Sequence, residues 1–130
     1  MIDIAGQPVL LTHGDAYCTD DHDYQRFRAQ VRDARWQAEF LAKPLAERKQ
    51  IIASMRAGSR AAQREKSMAI MDVNPVTIDA VFSDYAVQRI IHGHTHRPAL
   101  HRSDAGLRHV LPDWDLDHAP LSLFLLNIPI

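Results

Sequence analysis

The feature that most constrains this chain is the string Ile91-His92-Gly93-His94-Thr95-His96-Arg97-Pro98, which follows the apolar run Val87 to Ile91. An apolar run that ends in a glycine set among alternating histidines reads as a strand entering a site. Along a strand, side chains two apart share a face, so His92, His94 and His96 are expected to converge on one point. Neutral imidazole is the commonest protein ligand for transition metals, and metal binding is therefore the first expectation. Gly93 is expected to leave backbone room for a ligand, and Pro98 to end the strand.

A second segment has the same form. Val9-Leu10-Leu11-Thr12 reads as a buried strand and runs directly into His13-Gly14-Asp15. Open α/β sheets bind their ligands at the carboxyl ends of strands, so His13 and the His94/His96 pair meet there if the two strands are neighbours. Asp15 has two equal roles open to it: orienting His13 by a hydrogen bond, or satisfying backbone amides in the loop.

These motifs resemble the late Gly-His and Gly-His-x-His motifs of the calcineurin-like metallophosphoesterases. The resemblance narrows when the strings are taken in order: His13 to Asp21 with its Cys-Thr-Asp-Asp, a basic helical stretch, Ser67 to Asn74 with its Met-Asp-Val-Asn, and Ile91 to Pro98. That order is similar to the C-terminal half of the UDP-2,3-diacylglucosamine hydrolase family, and the similarity spans roughly residues 5 to 100. None of the family's earlier motifs, Asp-x-His, Gly-Asp and Gly-Asn-His/Arg-Asp, lies ahead of His13 in this sequence.

The resemblance implies a fold class, α/β, forming part of a four-layer α/β/β/α metallophosphoesterase sandwich. Residues 1–130 would be the C-terminal portion of that domain, with 22–70 as a helical cap insertion. It implies hydrolysis of the pyrophosphate of UDP-2,3-diacylglucosamine to lipid X and UMP in lipid A biosynthesis. Two divalent ions, Mn²⁺, would activate the attacking water and neutralise charge on the phosphoryl oxygens. By position in the matching strings, His13 and His94 would ligate the second metal and His96 the first. His94 and Arg97 would be catalytic, with Arg97 free to stabilise the anionic phosphate. Asp21, Ser59, Gln63, Lys66 and His94 fall where the family contacts its lipid product. His92 is expected to be structural, bonded to backbone, since the motif does not need it as a ligand.

Charge is unevenly spread. Residues 24 to 66 hold 11 of the 15 Lys and Arg but only four acids. By themselves such charges describe a solvated basic face on helices. With the resemblance, a basic amphipathic cap carrying Trp36, Phe40 and Met55 suits a ligand with a diphosphate head and acyl tails. It also suits peripheral attachment to the anionic cytoplasmic face of an inner membrane. Tyr24, Phe27, Val31, Ala34, Ala38 and Leu41 keep helical spacing after Asp20 and Asp21, with Asp20 the expected cap. Pro44 opens a second helix expected to stop at Gly58, and a third is expected from Arg60 to about Ile70. Asn74-Pro75 should cap a helix through Asp84 with Val76, Ala80 and Val81 on one face. Strands are expected at Val87 to His92, Gly106 to Leu111 and Leu121 to Ile130.

The overall balance excludes several classes. A net charge of -1 gives no electrostatic reason for a nucleic-acid or membrane partner. One cysteine, Cys18, excludes an internal disulfide, suits a reducing cytoplasm and reads as buried packing. Asp3 and Gln7 interrupt the apolar opening, so no secretory signal is expected. His22, His101, His109 and His118 read as solvated. Three functions follow: the hydrolase, completed by a missing N-terminal half or by self-association; a remnant binding lipid or one metal; and a basic helical interaction module. The last lacks the interleaved aromatics of a nucleic-acid platform.

Overall fold

The computed structural model describes residues 1–67 and 70–113. The chain divides into two compact units, one of Met1–Cys18 with Asp72–Ile130 and the other of Thr19–Met71. Met68 and Ala69 of the Ser67 to Asn74 string, the strand expected at Leu121 to Ile130, Trp114, Asp115 and His118 lie outside the described residues.

The first unit is a mixed α/β layer. Its strands are β1 (Ile2–Ile4), β2 (Gln7–Thr12), β3 (Arg89–His92), β4 (Ala99–Ser103) and β5 (Gly106–Val110), beside one helix labelled here α4 (Pro75–Asp84) for its place in the chain. They form a five-stranded sheet in the order β1-β2-β3-β5-β4. The central pairs β2–β3 and β3–β5 are parallel, and the outer pairs are antiparallel. β1 and β2 are joined by a two-residue turn in which Ala5 and Gly6 both have positive φ, 53° and 77°. That pattern is the primed turn whose twist matches a hairpin.

Inner strands with consecutive buried residues, Val9 and Leu10 in β2 and Ile90 to His92 in β3, and one face of α4 produce the core. Leu10 and Ile90 from the sheet pack with Ile78, Val81 and Phe82 of α4, together with Cys18, Val73 and Val87. Ile90 is fully buried. Asn74 caps α4 by accepting from the Thr77 N–H, and Pro75 occupies the first turn, as expected. The buried face differs from the expected one. Ile78, Val81 and Phe82 point inward, whereas Val76 is 78% exposed, because Phe82 has the greater apolar area to bury. The expected strand at 87 to 92 narrows to β3, and Leu11, expected to be buried, is half exposed.

The second unit is helical, with α1 (His22–Arg32), α2 (Ala34–Leu41) and α3 (Leu45–Glu65). Three expectations are corrected here. The single helix through Leu41 breaks at Asp33, whose extended backbone ends α1 and whose carboxylate accepts from the Trp36 N–H to start α2. Asp21, rather than Asp20, caps α1 by accepting from the Tyr24 N–H. Gly58 does not stop a helix: α3 continues through it, so the helices expected on either side are one. A mid-helix glycine costs only about 1 kcal/mol, which the flanking Ala and Arg residues can absorb. No helix among the described residues is long and apolar enough to cross a membrane.

Candidate functional site

The site grows from the register of β2 and β3. Thr12 pairs with His92 across the two parallel strands, so both chains leave the sheet at the same level and at their carboxyl ends. His13 and Gly93 follow directly, and the Gly93 N–H donates to the His13 carbonyl at 3.1 Å. This contact locks the two loops side by side.

β3 ends at His92, and the strand alternation ends with it. His94 and His96 both take left-handed backbone conformations, φ 64° and 51°. Such conformations cost a non-glycine residue about 1 kcal/mol or more and persist only where the surroundings enforce them. The three histidines therefore do not share a face, which corrects the expected convergence, and Pro98 precedes β4 rather than ending β3. His94 is turned toward His13 instead. The His94 Nδ1 and the His13 Nε2 lie 3.2 Å apart with ring centroids at 5.0 Å, edge to face. His96 goes elsewhere, with its Nδ1 3.4 Å from Asp113 Oδ2 on the surface.

His92 is the buried member of the string, with no exposed surface. Its Nε2 lies 3.0 Å from Arg108 Nη1, and its Nδ1 lies 2.9 Å from the Gly93 carbonyl oxygen. A guanidinium can only donate, so Nε2 accepts, and Nδ1 carries the proton given to Gly93. Burial holds the His92 imidazole below its ordinary pKa, and the neighbouring Arg108 charge adds to this against the bond to Gly93. His92 is thus structural and bonded to backbone, as expected. Burial likewise lowers the Arg108 guanidinium and, with Arg108 beside it, His101. His109, expected to be solvated, is half-buried and also lowered, by burial and then by Arg89 and Arg102. Gly14, after His13, sits against the His92 ring with φ 103°, and a Cβ there would meet His92 Nδ1 at 2.7 Å.

Arg97, expected to be free, is tied down: its Nη1 donates to Asp72 Oδ2 at 2.8 Å. Asp72 also accepts from the Val73 N–H. In the helical unit Asp21 and Lys66 bond to one another, with side chains 9% and 19% exposed, so neither presents an uncommitted charge. Burial opposes ionisation of Asp21, but the Lys66 ammonium and the Tyr24 N–H outweigh it and hold its pKa below the ordinary value. Ser59 is exposed on α3, and Gln63 follows one turn later in the same helix. Asp15 is buried. Sequence reasoning missed Arg108, Asp72 and the requirement for Gly14. A His-Gly pair is the only local signal of the last, and the first two emerge only from strand pairing.

The pair of imidazoles fits half of a metal site. Two nitrogens each about 2.1 Å from one ion lie about 3.0–3.4 Å apart, which matches His13 and His94. Among the described residues no group of three or more His, Cys, Asp or Glu side chains is placed to hold an ion.

No family model matches the chain. Curated relatives do. The UDP-2,3-diacylglucosamine hydrolase of Bordetella pertussis is 53% identical over 115 residues, covering 85% of this chain and 45% of that protein. The protein of that name from Xanthomonas campestris pv. campestris is 50% identical over 125 residues, 88% of this chain and 51% of its own. That of Aromatoleum aromaticum is 47% identical over 124 residues, 92% and 50%. The chain spans about half the length of the curated relatives it matches. Over most of its own length, this chain is a homologue of the UDP-2,3-diacylglucosamine hydrolases, matched to about half of each.

Proposed function

We propose that this chain is the part of a UDP-2,3-diacylglucosamine pyrophosphohydrolase that brings two metal-ligating histidines and a helical lipid-binding unit, its remaining metal ligands coming from sequence outside it. The observation that carries this reading is the 3.2 Å approach of His13 Nε2 and His94 Nδ1 across neighbouring strand ends. The names and identities of the relatives supply the substrate class. In this reading the sheet is one layer of a four-layer metallophosphoesterase sandwich.

His13 and His94 would hold a divalent ion, Mn²⁺, with His96 released from Asp113 to a second. Bound there, such ions supply charge stabilisation at phosphoryl oxygens and activate water for hydrolysis to lipid X and UMP. His13 and His94 must present unprotonated nitrogens to bind. Arg97 would exchange Asp72 for substrate phosphate. Partly exposed ion pairs contribute only about 0–1 kcal/mol, so the substrate's dianionic diphosphate competes readily. Asp21, Ser59, Gln63 and Lys66 are assigned to the diacylglucosamine portion, which requires the Asp21–Lys66 pair to open or rearrange. The basic helical face would rest peripherally on the anionic cytoplasmic surface of the inner membrane. A second reading, a remnant that binds one ion or lipid without turnover, is favoured by the absence of a third ligand among the described residues.

The test is Mn²⁺ binding and UDP-2,3-diacylglucosamine hydrolysis by the 130-residue chain, alone and with the other half of a relative added in trans. Turnover only in the mixture, lost in His13→Ala and in His94→Ala, is the expected result. Mn²⁺ binding without turnover in either setting would select the remnant. No binding in either would end the metal reading.

A further inference from the structure

We infer that His92 and Arg108 are positioning residues for the His13–His94 pair, acting through a single tautomer of His92. This goes beyond the ligand pair, and its connection to metal rests on the function proposed above.

His92 touches both loops of the site at once. Its ring lies against Gly14, the residue after His13, close enough that a Cβ at Gly14 would fall 3.2 Å from His92 Cγ. Its Nδ1–H donates to the carbonyl of Gly93, the residue before His94. That carbonyl belongs to the peptide unit that sets the left-handed turn of His94, φ 64°. The Gly93 oxygen also accepts from the Thr95 N–H at 2.8 Å, so both of its lone pairs are engaged and the peptide plane is fixed. The His92 backbone is held as well, its carbonyl accepting from the Leu111 N–H at 2.7 Å.

This arrangement works in only one tautomer. If Nε2 carried the proton, it would face the Arg108 guanidinium donor to donor, and a bare Nδ1 would face a carbonyl oxygen. Both contacts would be repulsive in a buried setting, where neither group can turn to water instead. The Gly93 carbonyl and Arg108 therefore select the same tautomer, and Arg108 does so from outside the two loops. It reaches His92 from β5, where it pairs in register with Ile90 of β3. Its side-chain hydrogen bond is to His92, and among the described residues no carboxylate forms an ion pair with it. A half-buried guanidinium kept beside a neutral imidazole stabilises little by itself; its consequence is the orientation of the ring and, through it, of both loops. Groups that orient metal-binding histidines typically change metal affinity about 10–100-fold when removed.

The experiment uses the full chain with ¹⁵N-labelled histidine, compared as wild type, Arg108→Met and Arg108→Lys. Long-range ¹H–¹⁵N spectra at pH 7.5 read the tautomer of His92 and the environments of His13 and His94, and a parallel titration reads Mn²⁺ affinity. The wild type should show His92 as the Nδ1–H form alone. Arg108→Met leaves only the Gly93 carbonyl as selector, so it should admit the Nε2–H form beside Nδ1–H, shift the His13 and His94 resonances, and weaken Mn²⁺ binding at least about tenfold. Arg108→Lys keeps a donor and should restore the tautomer and most of the affinity. A purely structural role would leave Met and Lys variants alike in tautomer. An unchanged His92 spectrum, or unmoved His13 and His94 signals in a folded Arg108→Met, would overturn the inference. If no form binds Mn²⁺, the metal reading fails while the histidine spectra still decide the positioning role.

Discussion

Gly14→Ala probes the site at its tightest point. Two costs add. The backbone at Gly14 has φ 103° and ψ -21°, a conformation that an L side chain adopts at about 1–2 kcal/mol. The new Cβ would also stand 2.7 Å from His92 Nδ1 and 3.3 Å from the Gly93 oxygen. The His92 ring is fully buried and bonded on both nitrogens, so it cannot withdraw without breaking a hydrogen bond. Forcing an extra carbon into such packing costs about 1–3 kcal/mol. The sum is about 2–5 kcal/mol, a large share of the 5–15 kcal/mol typical of a folded domain. Gly93→Ala is the internal control: a Cβ there meets only the His13 oxygen at 3.9 Å, an ordinary contact, and its φ is not positive. Urea denaturation followed by circular dichroism should show a severe loss for Gly14→Ala and less than about 1 kcal/mol for Gly93→Ala. Equal effects, or a Gly14→Ala protein as stable as the parent, would refute the claim that His92 fills the space beneath the His13 loop.

Three further outcomes are expected. Gly58→Ala should stabilise α3 by about 1 kcal/mol, since nothing lies within 4 Å of the new Cβ; thermal melting would show an unchanged or lower midpoint if the glycine has a hidden packing role. Thr95→Val should hold or raise stability by about 1 kcal/mol, because the buried Thr95 Oγ1 has no hydrogen-bond partner among the described residues; a loss of similar size in urea would reveal a partner supplied by water or ligand. Asp21, whose pKa is held below the ordinary carboxylate value, contributes stability that is present above that range and lost as pH falls through it. Acid titration of helicity should therefore be shallower in Asp21→Asn than in the parent, and identical curves would remove Asp21 from the account.

The parts of the fold legible in the sequence were those that bury apolar surface on one side. β2 and β3 carry aliphatic runs, β5 has Leu107 and Val110, and α4 has both its Asn74 cap and its Pro75 start. β1 was hidden because Ile2-Asp3-Ile4 alternates over only three residues, and Asp3 reads as an interruption when it is a turn acceptor, taking the Gly6 N–H at 2.9 Å. β4 was hidden for a different reason: Ala99–Ser103 is an edge strand whose one large aliphatic, Leu100, is 45% exposed. Its place depends on backbone pairing with β5, which leaves no hydrophobic pattern to read. The helical unit misled at Gly58 and Asp33, because local stop signals of about 1 kcal/mol can be overridden or reinforced by context.

The site was legible in its chemistry and not in its geometry. Three histidines at alternate positions promise a shared face only while the chain stays extended, and β3 ends at the first of them. From there His92 turns into the interior, His94 meets His13 through a left-handed backbone, and His96 swings toward Asp113. One string of like residues is thus divided into a buttress, a partner of His13 and a surface group by where a strand terminates. That point is set by partners far away in sequence: the Gly93 amide bonding to His13, and Arg108 of β5 bonding to His92. The division also explains the need for a glycine at position 14 rather than at 93. The ring that would have pointed at a ligand lies under the neighbouring loop, and that loop must pass it without a side chain.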